Sequence, residues 1–289
     1  MRSVTKDNLT EVFLNYFGKD TDPRFLEIIG SLARHLHEFA KETNLTHEEW
    51  GKGIDFLERM TEFTDKERHE FILLSDVLGL SSLVDMINTV PGGTSSSVLG
   101  PFHIVGAPDI PVGFDMKRHY GGEVLLATGV VQDMNGAPIE GATVDIWQTA
   151  PNGLYSSQDP DQDTYSFHGL QTTGADGRYG FTTVKPVSYE VPTDGPVGEI
   201  LRASGRHAWR PSHLHFIAKA DGYRTLVSEI FAHDDPYLDE DTVFGVRSDL
   251  IMKYEEMPAG SFPEQGYDLS GKVDGPWLRA QFDLILTPA

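Results

Sequence analysis

Two histidines one residue apart, His213 and His215, are the first candidates for chemistry in this sequence. They lie in the segment RPSHLHFIA, which begins at Arg210. The pattern of this segment predicts a β-strand, in which residues two positions apart point to the same face, so both imidazoles can bind one metal ion. His35 and His37 have the same spacing but lie in a predicted helix, where the two rings diverge. An exposed or hydrogen-bonded pair is the alternative for His213 and His215.

Two tyrosines upstream of these histidines lie in loop-like segments that contain proline and glycine. Tyr155 is in NGLYS, and Tyr189 is in KPVSYEVPTDGP. Each tyrosine alone is more often a packing residue whose hydroxyl reaches water. Together with His213 and His215 they form a set of two phenols and two imidazoles, which suits iron(III), because its high charge can deprotonate a phenol. Since the chain has no cysteine, any bound metal must be held by histidine, tyrosine or carboxylate side chains.

The first part of the chain, up to about residue 90, has the periodicity of α-helices. One predicted helix opens at Asp22-Pro23 and carries a single apolar face. This face consists of Phe25, Ile28, Ile29, Leu32, Leu36 and Phe39. Thr46 followed by Glu49 resembles a capping box at the start of a second helix. A third helical stretch is predicted over residues 67–78.

The amino-acid composition changes at Pro91, where glycine, proline and serine become frequent and remain so past Pro111. Helices cannot continue through this segment. Beyond Gly121, apolar residues alternate with others, as in residues 142–147, and Asn-Gly and Asp-Gly dipeptides punctuate short strands. This pattern predicts an antiparallel β-sandwich. We therefore expect an α+β protein, with a helical N-terminal dimerisation domain over residues 1–95 and a catalytic β-sandwich domain over residues 96–289, of which 96–120 form a linking loop.

The charge of the 289-residue chain excludes some classes of partner. It has 23 basic and 44 acidic residues and a formal net charge of -21, which repels phosphate backbones and anionic membrane surfaces. We expect neither a nucleic-acid partner nor a membrane partner. The first residues lack a long apolar core, and no run of roughly 18 apolar residues occurs, so we expect no signal peptide, no transmembrane span and a cytoplasmic location.

Four motifs follow one another along the chain: GLYS at Tyr155, Tyr189 ahead of PTDGP, RPSHLH with His213 and His215, and DDPY at residues 234–237. In their order and their flanking residues they resemble the motifs of the intradiol catechol dioxygenase family. The resemblance spans nearly the whole chain and implies a non-haem iron(III) enzyme. It implies Tyr155 and His215 as equatorial ligands and Tyr189 and His213 as axial ligands. Tyr189 is then also catalytic, because it accepts a proton from the substrate and leaves the metal. Arg210 is the second implied catalytic residue, which stabilises negative charge on the substrate ring; a surface salt bridge is its alternative.

The same resemblance implies a substrate pocket between the helical part and the loop into the sandwich. Its implied substrate-binding residues are Leu73, Asp76, Val98, Gly100, Pro101, Phe102, Val191, Pro192, Arg210 and Val243. Simple catechol cleavers tend to have an apolar residue at the position of Asp76, whereas the third hydroxyl of hydroxyquinol (1,2,4-trihydroxybenzene) would hydrogen-bond to a carboxylate there. We therefore expect cleavage of hydroxyquinol with O2 to 3-hydroxy-cis,cis-muconate, which tautomerises to maleylacetate. Catechol or chlorocatechol cleavage to cis,cis-muconates is the alternative, and a helix-surface or capping acid is the alternative for Asp76.

Glu229 departs from the family pattern, because catechol-cleaving relatives commonly carry glutamine there. It could pair with Arg210, tune the oxygen-binding region, or act as a third ligand beside His213 and His215 in an iron(II) site. A non-catalytic β-sandwich binding module with a helical dimerisation arm is the non-enzyme alternative. The apolar helical faces predict a homodimer, and the resemblance adds a phospholipid held between the helical parts of the two subunits.

Overall fold

The computed structural model of the protein describes residues 3–118, 120–261 and 275–289. The chain forms two compact units, the first ending at Arg59 and the second beginning at Met60. The helices are α1 (Leu9–Leu14), α2 (Pro23–Glu42), α3 (His47–Met60), α4 (Glu70–Val77), α5 (Leu80–Asn88) and α6 (Pro196–Ala203). Among the helices of the described ranges, none is both long enough and apolar enough to cross a membrane.

The predicted starts of the first two long helices are confirmed. At the start of α2, the Asp22 carboxylate accepts a hydrogen bond from the Phe25 N–H at 2.8 Å. Ahead of α3, the Glu49 carboxylate accepts a hydrogen bond from the Thr46 N–H at 2.9 Å, and the Thr46 hydroxyl accepts one from the Glu49 N–H at 3.2 Å. The capping residues visible in the sequence therefore fix both helix starts.

Helix α4 begins later than the sequence pattern predicts, at Glu70 rather than Glu67. One carboxylate oxygen of Asp65 accepts hydrogen bonds from the N–H groups of Glu67 at 2.7 Å and Arg68 at 2.9 Å. An aspartate that binds the backbone in this way holds the segment in a turn and competes with helix formation. The helix therefore starts only after this turn.

The strands of the second unit form two main sheets and a small ribbon. The strands are β1 (Phe114–Asp115), β2 (Val124–Gln132), β3 (Thr143–Trp147), β4 (His168–Thr172), β5 (Arg178–Val184), β6 (Tyr189–Glu190), β7 (Trp209–Arg210), β8 (His213–Lys219), β9 (Leu226–Ala232), β10 (Ile251–Met252), β11 (Glu255–Met257), β12 (Trp277–Gln281) and β13 (Leu284–Ile285). One sheet has the order β1-β5-β2-β12-β11, with β13 also paired to β2; the other has the order β10-β9-β8-β3-β4; β6 and β7 form the ribbon. One apolar cluster combines Leu125 and Phe181 of the first sheet with Ile146 and Phe216 of the second, so the two sheets share one core as a sandwich.

Strand pairing is mixed, which corrects the prediction of a purely antiparallel sandwich. The long neighbours β2–β5, β3–β8 and β8–β9 are antiparallel, but β1–β5, β12–β2, β13–β2 and β10–β9 are parallel. Parallel neighbours need a long connection that returns the chain to the same end of the sheet. Strand β10, for example, follows β9 only after residues 233–250. Asn-Gly and Asp-Gly dipeptides in the sequence indicate hairpins, but they do not indicate which strands a long connection brings into parallel pairing.

Strand β8 separates the candidate histidines from the core. Leu214 and Phe216 belong to the core cluster, whereas Ile217 belongs to a smaller cluster on the other side of the strand. His213 and His215 are four and two residues before Ile217, respectively, and share its face. The predicted strand and its period of two are therefore confirmed, and the fold points both imidazoles away from the core.

The boundary between helices and strands falls between Asn88, where α5 ends, and Val124, where the first long strand β2 begins. Helix α4 packs against both α5 and α6. These helices therefore belong to the second compact unit together with the strands. A division into domains near residue 95 stays a prediction, which rests on the change in amino-acid composition.

Candidate metal centre

Four side-chain donor atoms meet at one buried point in the second unit. The phenol oxygen (Oη) of Tyr155 lies 2.9 Å from Nε2 of His215, 3.4 Å from Nε2 of His213 and 3.3 Å from Oη of Tyr189. The two Nε2 atoms are 3.1 Å apart. Each of the four residues is at most 6% exposed. The structure thus brings together the two tyrosines and two histidines selected from the sequence.

Three parts of the fold supply these donors. His213 and His215 lie on β8, Tyr189 lies on β6, and Tyr155 lies in the loop that follows β3. Within the small ribbon, Tyr189 is paired in register with Arg210 of β7. Residues distant in sequence therefore meet only because the sandwich and the ribbon place them side by side.

The two histidine rings are held in defined orientations. His213 donates a hydrogen bond from Nδ1 to the carbonyl oxygen of Pro211 at 2.7 Å, which leaves its Nε2 atom free of a proton. His215 stacks on Trp147, with ring centroids 4.6 Å apart and planes within 2° of parallel. Burial is the main cause that lowers the pKa of both imidazoles, and it lowers the pKa of His215 well below its usual value. Both rings are therefore neutral at pH 7 and available as ligands.

The two phenols lie in a largely apolar environment. The ring of Phe102 stacks on Tyr155 with centroids 5.1 Å apart, and Tyr189 meets Tyr155 edge-on at 5.5 Å. Burial raises the pKa of both phenols, that of Tyr155 well above its usual value. They lose their protons only if strong positive charge binds next to their oxygens. Two phenols and two neutral imidazoles fit a highly charged ion such as iron(III) and are a poor match for magnesium or calcium, which prefer oxygen ligands alone.

A buried ion-pair network centred on Arg210 lies beside the four donors. The guanidinium donates hydrogen bonds to both carboxylate oxygens of Glu229 at 2.6 and 2.9 Å, and to both of Asp241 at 3.1 and 3.2 Å. Arg210 is only 2% exposed, so the alternative of a surface salt bridge is wrong. Burial opposes the charge, but Asp241 and Glu229 outweigh it and raise the pKa of Arg210 above its usual value. Its Nη1 atom lies 3.4 Å from Nε2 of His213, which places a fixed positive charge at the edge of the centre.

Glu229 faces the histidines from β9, in register with His215. Its Oε1 atom lies 3.4 Å from Nε2 of His213 and 3.5 Å from Nδ1 of His215, so these three residues could also hold a metal ion. However, Arg210 binds both carboxylate oxygens, and the Ser97 hydroxyl donates a further hydrogen bond at 2.7 Å. Burial raises the pKa of Glu229, but Arg210 outweighs burial and lowers it below the usual value. As a ligand, Glu229 would have to break a buried ion pair, which is costly.

A cleft of about 680 Å³ opens beside the centre, and Tyr189 lines it. Three predicted substrate residues, Phe102, Val191 and Pro192, also line this cleft. Tyr155 does not line it, because its ring lies under Phe102. Of the four donors, Tyr189 is therefore the one that a molecule in the cleft meets.

The other predicted substrate residues do not line this cleft. Most of them are buried, namely Leu73, Asp76, Val98, Gly100, Arg210 and Val243, and Pro101 is half-buried. Gly100 has a φ of 73° and lies directly against His215, since a Cβ atom at this position would be 3.5 Å from Cε1 of the imidazole. Glycine adopts this left-handed conformation without strain. The loop that contains Gly100 can therefore lie close to the imidazole ring of His215.

Asp76, on α4, is a buried acid with an unpaired oxygen. It is 1% exposed, and its Oδ1 atom has no hydrogen-bond partner within the described part of the chain. Burial is the main cause that raises the pKa of Asp76 to about 6, against the lowering effects of Ser81 and Arg210. The alternative of a helix-surface acid is therefore wrong. A buried carboxyl oxygen without a partner is costly, and a hydrogen-bond donor bound next to it would remove this cost.

Sequence reasoning missed residues that support the centre. Trp147 covers the ring of His215, and Asp241 holds Arg210. Trp147 pairs in register with His215 across β3 and β8. The alternation in residues 142–147 contains this signal, but it can be used only when the pairing of the two strands is known. Asp241 lies in a loop that has no periodic signal.

Fold and site together define a class of protein, a β-sandwich with a candidate centre of two tyrosines and two histidines beside a cleft. A family model described as "Dioxygenase" matches residues 104–274, and one described as "Catechol dioxygenase N terminus" matches residues 22–91. The chain belongs to the intradiol dioxygenase family. The family resemblance inferred from the motifs is thus confirmed.

Similar proteins align with nearly the whole chain. The chain is 41% identical to the 6-chlorohydroxyquinol 1,2-dioxygenase of Cupriavidus pinatubonensis, covering 100% of this chain and 99% of that protein. It is 42% identical to the hydroxyquinol 1,2-dioxygenase of Nocardioides simplex, covering 100% and 97%. The solved structure of hydroxyquinol 1,2-dioxygenase from Pseudomonas putida DLL-E4 superposes with a TM-score of 0.86 at 44% identity, covering 98% of this chain and 99% of that one. Helices and sandwich are therefore both shared with these relatives.

The raised pKa of Asp76 predicts how stability changes with pH. Between the ordinary value of 3.8 and about 6, the folded chain keeps a proton that the unfolded chain loses, so this group makes the protein less stable as pH rises through that window. The substitution Asp76→Asn removes this titration. Relative to the wild type, its free energy of unfolding should rise between about pH 4 and pH 7, by up to about 3 kcal/mol. Differential scanning calorimetry across this pH range measures the effect.

Leu73→Ala is the control, because Leu73 lies one turn earlier on α4 and is also buried. This neutral change should lower the melting temperature by a similar amount at every pH. If the difference between Asp76→Asn and the wild type were the same at all pH values, the raised pKa of Asp76 would be wrong.

Proposed function

We propose that this protein opens the ring of hydroxyquinol between two adjacent hydroxylated carbons, with O2 and iron(III), to give 3-hydroxy-cis,cis-muconate, which tautomerises to maleylacetate. The observation that carries this proposal is the meeting of Tyr155 Oη with Tyr189 Oη and the Nε2 atoms of His213 and His215, all within 3.4 Å of it. Relatives whose names state the cleavage of hydroxyquinol or 6-chlorohydroxyquinol support the substrate.

Tyr155, Tyr189, His213 and His215 would hold the iron. When bound, iron(III) supplies Lewis acidity, which draws electron density from the two adjacent oxygens of the substrate and opens its ring to attack by oxygen. The protein contributes the shape of this site. Stacking of Phe102 on Tyr155 keeps water from one phenol oxygen and leaves the cleft side for the substrate.

Tyr189 is placed to accept a proton from the substrate. A diol binds a metal through two oxygens only after it loses protons, and a phenolate oxygen of Tyr189 is a base within reach of the cleft. The Tyr155 oxygen lies deeper, 2.9 Å from Nε2 of His215. The two tyrosines therefore have different roles: Tyr155 stays a ligand, while Tyr189 takes the proton at Oη.

Arg210 is placed to stabilise negative charge on the substrate ring. Its guanidinium is buried and already oriented by Glu229 and Asp241, so it need not reorganise when charge develops. Glu229 then acts as the counter-ion of Arg210 rather than as a ligand. This role supports the iron(III) centre with two tyrosines over an iron(II) site built from two histidines and a carboxylate.

Asp76 is the residue that favours hydroxyquinol over catechol. Its unpaired Oδ1 atom would accept a hydrogen bond from the third hydroxyl of hydroxyquinol. Catechol lacks this hydroxyl and would leave the buried oxygen unpaired. A site that needs a hydroxyl discriminates strongly against an analogue without it.

Removal of either phenol tests the proposed centre. The iron-loaded wild type should show a strong visible absorption band from phenolate bound to iron(III), and the band should shift when hydroxyquinol is added without oxygen. Tyr155→Phe and Tyr189→Phe should each weaken and shift this band, because each removes one phenolate ligand. For Tyr189→Phe we expect a fall in kcat of about 100- to 10,000-fold, the usual contribution of a proton acceptor. Absorption spectra and oxygen-uptake rates measure both effects.

Tyr165→Phe is the matched control, since its hydroxyl donates to the carbonyl of Val105 and should leave band and rate unchanged. Full activity in both Tyr155→Phe and Tyr189→Phe would refute the intradiol mechanism. A colourless wild type that still binds iron would indicate the site of His213, His215 and Glu229. A colourless wild type that cannot be loaded with iron would indicate a binding module.

The choice of substrate is tested at Asp76. For Asp76→Leu, kcat/KM for hydroxyquinol should fall roughly 10- to 100-fold relative to that for catechol, because a hydrogen bond to a charged group contributes about 1.5–3 kcal/mol. Asp76→Asn keeps an acceptor oxygen and should lose less. An intact visible band in both variants shows that the centre is preserved. Asp76 does not select the substrate if the wild type does not prefer hydroxyquinol over catechol. The same follows if Asp76→Leu leaves the ratio of the two kcat/KM values unchanged.

The apolar face of α2 supports a homodimer. Phe25, Leu32 and Leu36 are 53%, 52% and 55% exposed in the single chain, and Ile28 and Phe39 continue the same face. Such a continuous apolar stripe is typical of a surface covered by a partner. By resemblance, a phospholipid would lie between the helical parts of the two subunits, and mass spectrometry of an organic extract of the purified protein would detect it.

Leu32→Asp should convert the homodimer to a monomer, because it places a charge in the centre of the apolar stripe. Light scattering coupled to size exclusion should give twice the chain mass of 32.0 kDa for the wild type and the single mass for the variant. Arg34→Asp introduces the same residue on the other side of α2 and should stay dimeric. A monomeric wild type would contradict the proposed dimer.

A further inference from the structure

A second cluster of metal-binding residue types, His103, Asp145 and His168, lies apart from the four donors. The Nε2 atom of His103 is 2.9 Å from one carboxylate oxygen of Asp145, and the Nε2 atom of His168 is 2.7 Å from the other. The ligand atoms of the three residues all lie within 4.8 Å of one another. The proposed ring cleavage uses none of these residues.

The sandwich holds this cluster on the outer face of one sheet. Val144 and Ile146 of β3 point into the core, so Asp145 between them points outward. His168 is the first residue of β4, the antiparallel neighbour of β3. The side chains of His103 and Asp145 are 15% and 18% exposed, whereas that of His168 is 4% exposed. An ion from solvent can therefore reach a cluster that is otherwise fixed by the sheet.

The charges and donor atoms of the cluster suit a cation. Burial raises the pKa of Asp145, but hydrogen bonds from His103 and His168 outweigh burial and lower it to about 2, so the carboxylate is ionised at neutral pH. Each imidazole can be a ligand through Nε2 in the tautomer that carries its proton on Nδ1. Two imidazoles, one carboxylate and a water molecule form a common zinc coordination sphere. Magnesium and calcium would prefer oxygen ligands alone.

We propose that His103, Asp145 and His168 form a second metal site, which takes a divalent cation of the zinc class and is distinct from the iron centre. The indole of Trp147 contacts both sites, since its ring centroid lies 4.6 Å from that of His103 and 4.6 Å from that of His215. The two sites therefore share an aromatic neighbour but no ligand. A cation at the second site fixes the ring of His103, which packs on the same indole as the iron ligand.

Zinc binding to the iron-loaded protein tests this site, because the first centre is then already filled. Isothermal titration with zinc chloride near neutral pH should show one zinc per chain. X-ray absorption at the zinc edge should show imidazole nitrogens at about 2.0 Å. This second measurement needs no variant, so the proposal can be tested even if a substitution impairs folding.

His103→Asn and His168→Asn should each weaken zinc binding by more than about 10-fold, because even outer-shell partners of a ligand contribute roughly 10- to 100-fold to affinity. His35→Asn, on the exposed surface of α2, is the matched control and should bind zinc like the wild type. Thermal unfolding of each variant shows whether it is folded. These substitutions lie outside the first centre. The number of zinc ions bound per chain can therefore be compared between the wild type and the variants, whichever metal the first centre holds.

Three results would overturn the second site. One is a wild type that takes up no zinc, which would leave the cluster as a hydrogen-bonded triad without a metal. Another is zinc binding that both histidine variants retain. The third is zinc uptake matched by an equal loss of iron and of its visible band, which would place the zinc in the first centre.

Discussion

One buried positive charge, the guanidinium of Arg210, constrains the structure of the whole candidate centre. Glu229 from β9 and Asp241 from the following loop each accept two hydrogen bonds from it. Loss of one partner of a buried ion pair costs roughly 3–5 kcal/mol, so β7, β9 and this loop must keep their relative positions. His213 lies 3.4 Å from the same guanidinium. The geometry around His213 and His215 is thus fixed by electrostatics as well as by the strand that carries them.

The ion pairs of Arg210 distinguish Glu229 and Asp241 from the third buried acid, Asp76. Glu229 and Asp241 together bring two negative charges against the one positive charge of Arg210, so the surroundings of the donors favour a cation. Both oxygens of Glu229 are engaged by Arg210, so this carboxylate is not free to bind a metal ion beside the histidines. Asp76 differs, since its Oδ1 atom has no partner within the described residues. Of these three buried acids, Asp76 is therefore the one with a free acceptor oxygen, which the proposed recognition of hydroxyquinol uses.

Local rules predicted the parts of the fold and site that depend on neighbouring residues. The caps at Asp22 and Thr46 and the single face of His213 and His215 follow from side-chain periodicity and backbone hydrogen bonding, and the motif order indicated the family. Parallel pairs such as β10–β9 could not be predicted, because they depend on how a long connection returns. The contact of Trp147 with His215 likewise depends on the pairing of β3 with β8, which no local pattern specifies.

The ribbon of β6 and β7 has only two residues in each strand and pairs with neither main sheet. Tyr189 lies on this ribbon, whereas His213 and His215 lie on a strand with long neighbours on both sides. Short elements with few backbone hydrogen bonds open locally at a small fraction of the global free energy of unfolding. The candidate centre thus combines two donors on a long strand that is paired on both sides with one donor on a two-residue strand. The ion pairs of Arg210 hold the other strand of this ribbon in place. Displacement of Tyr189 would therefore break backbone hydrogen bonds of the ribbon and none of those that pair the described strands of the two main sheets.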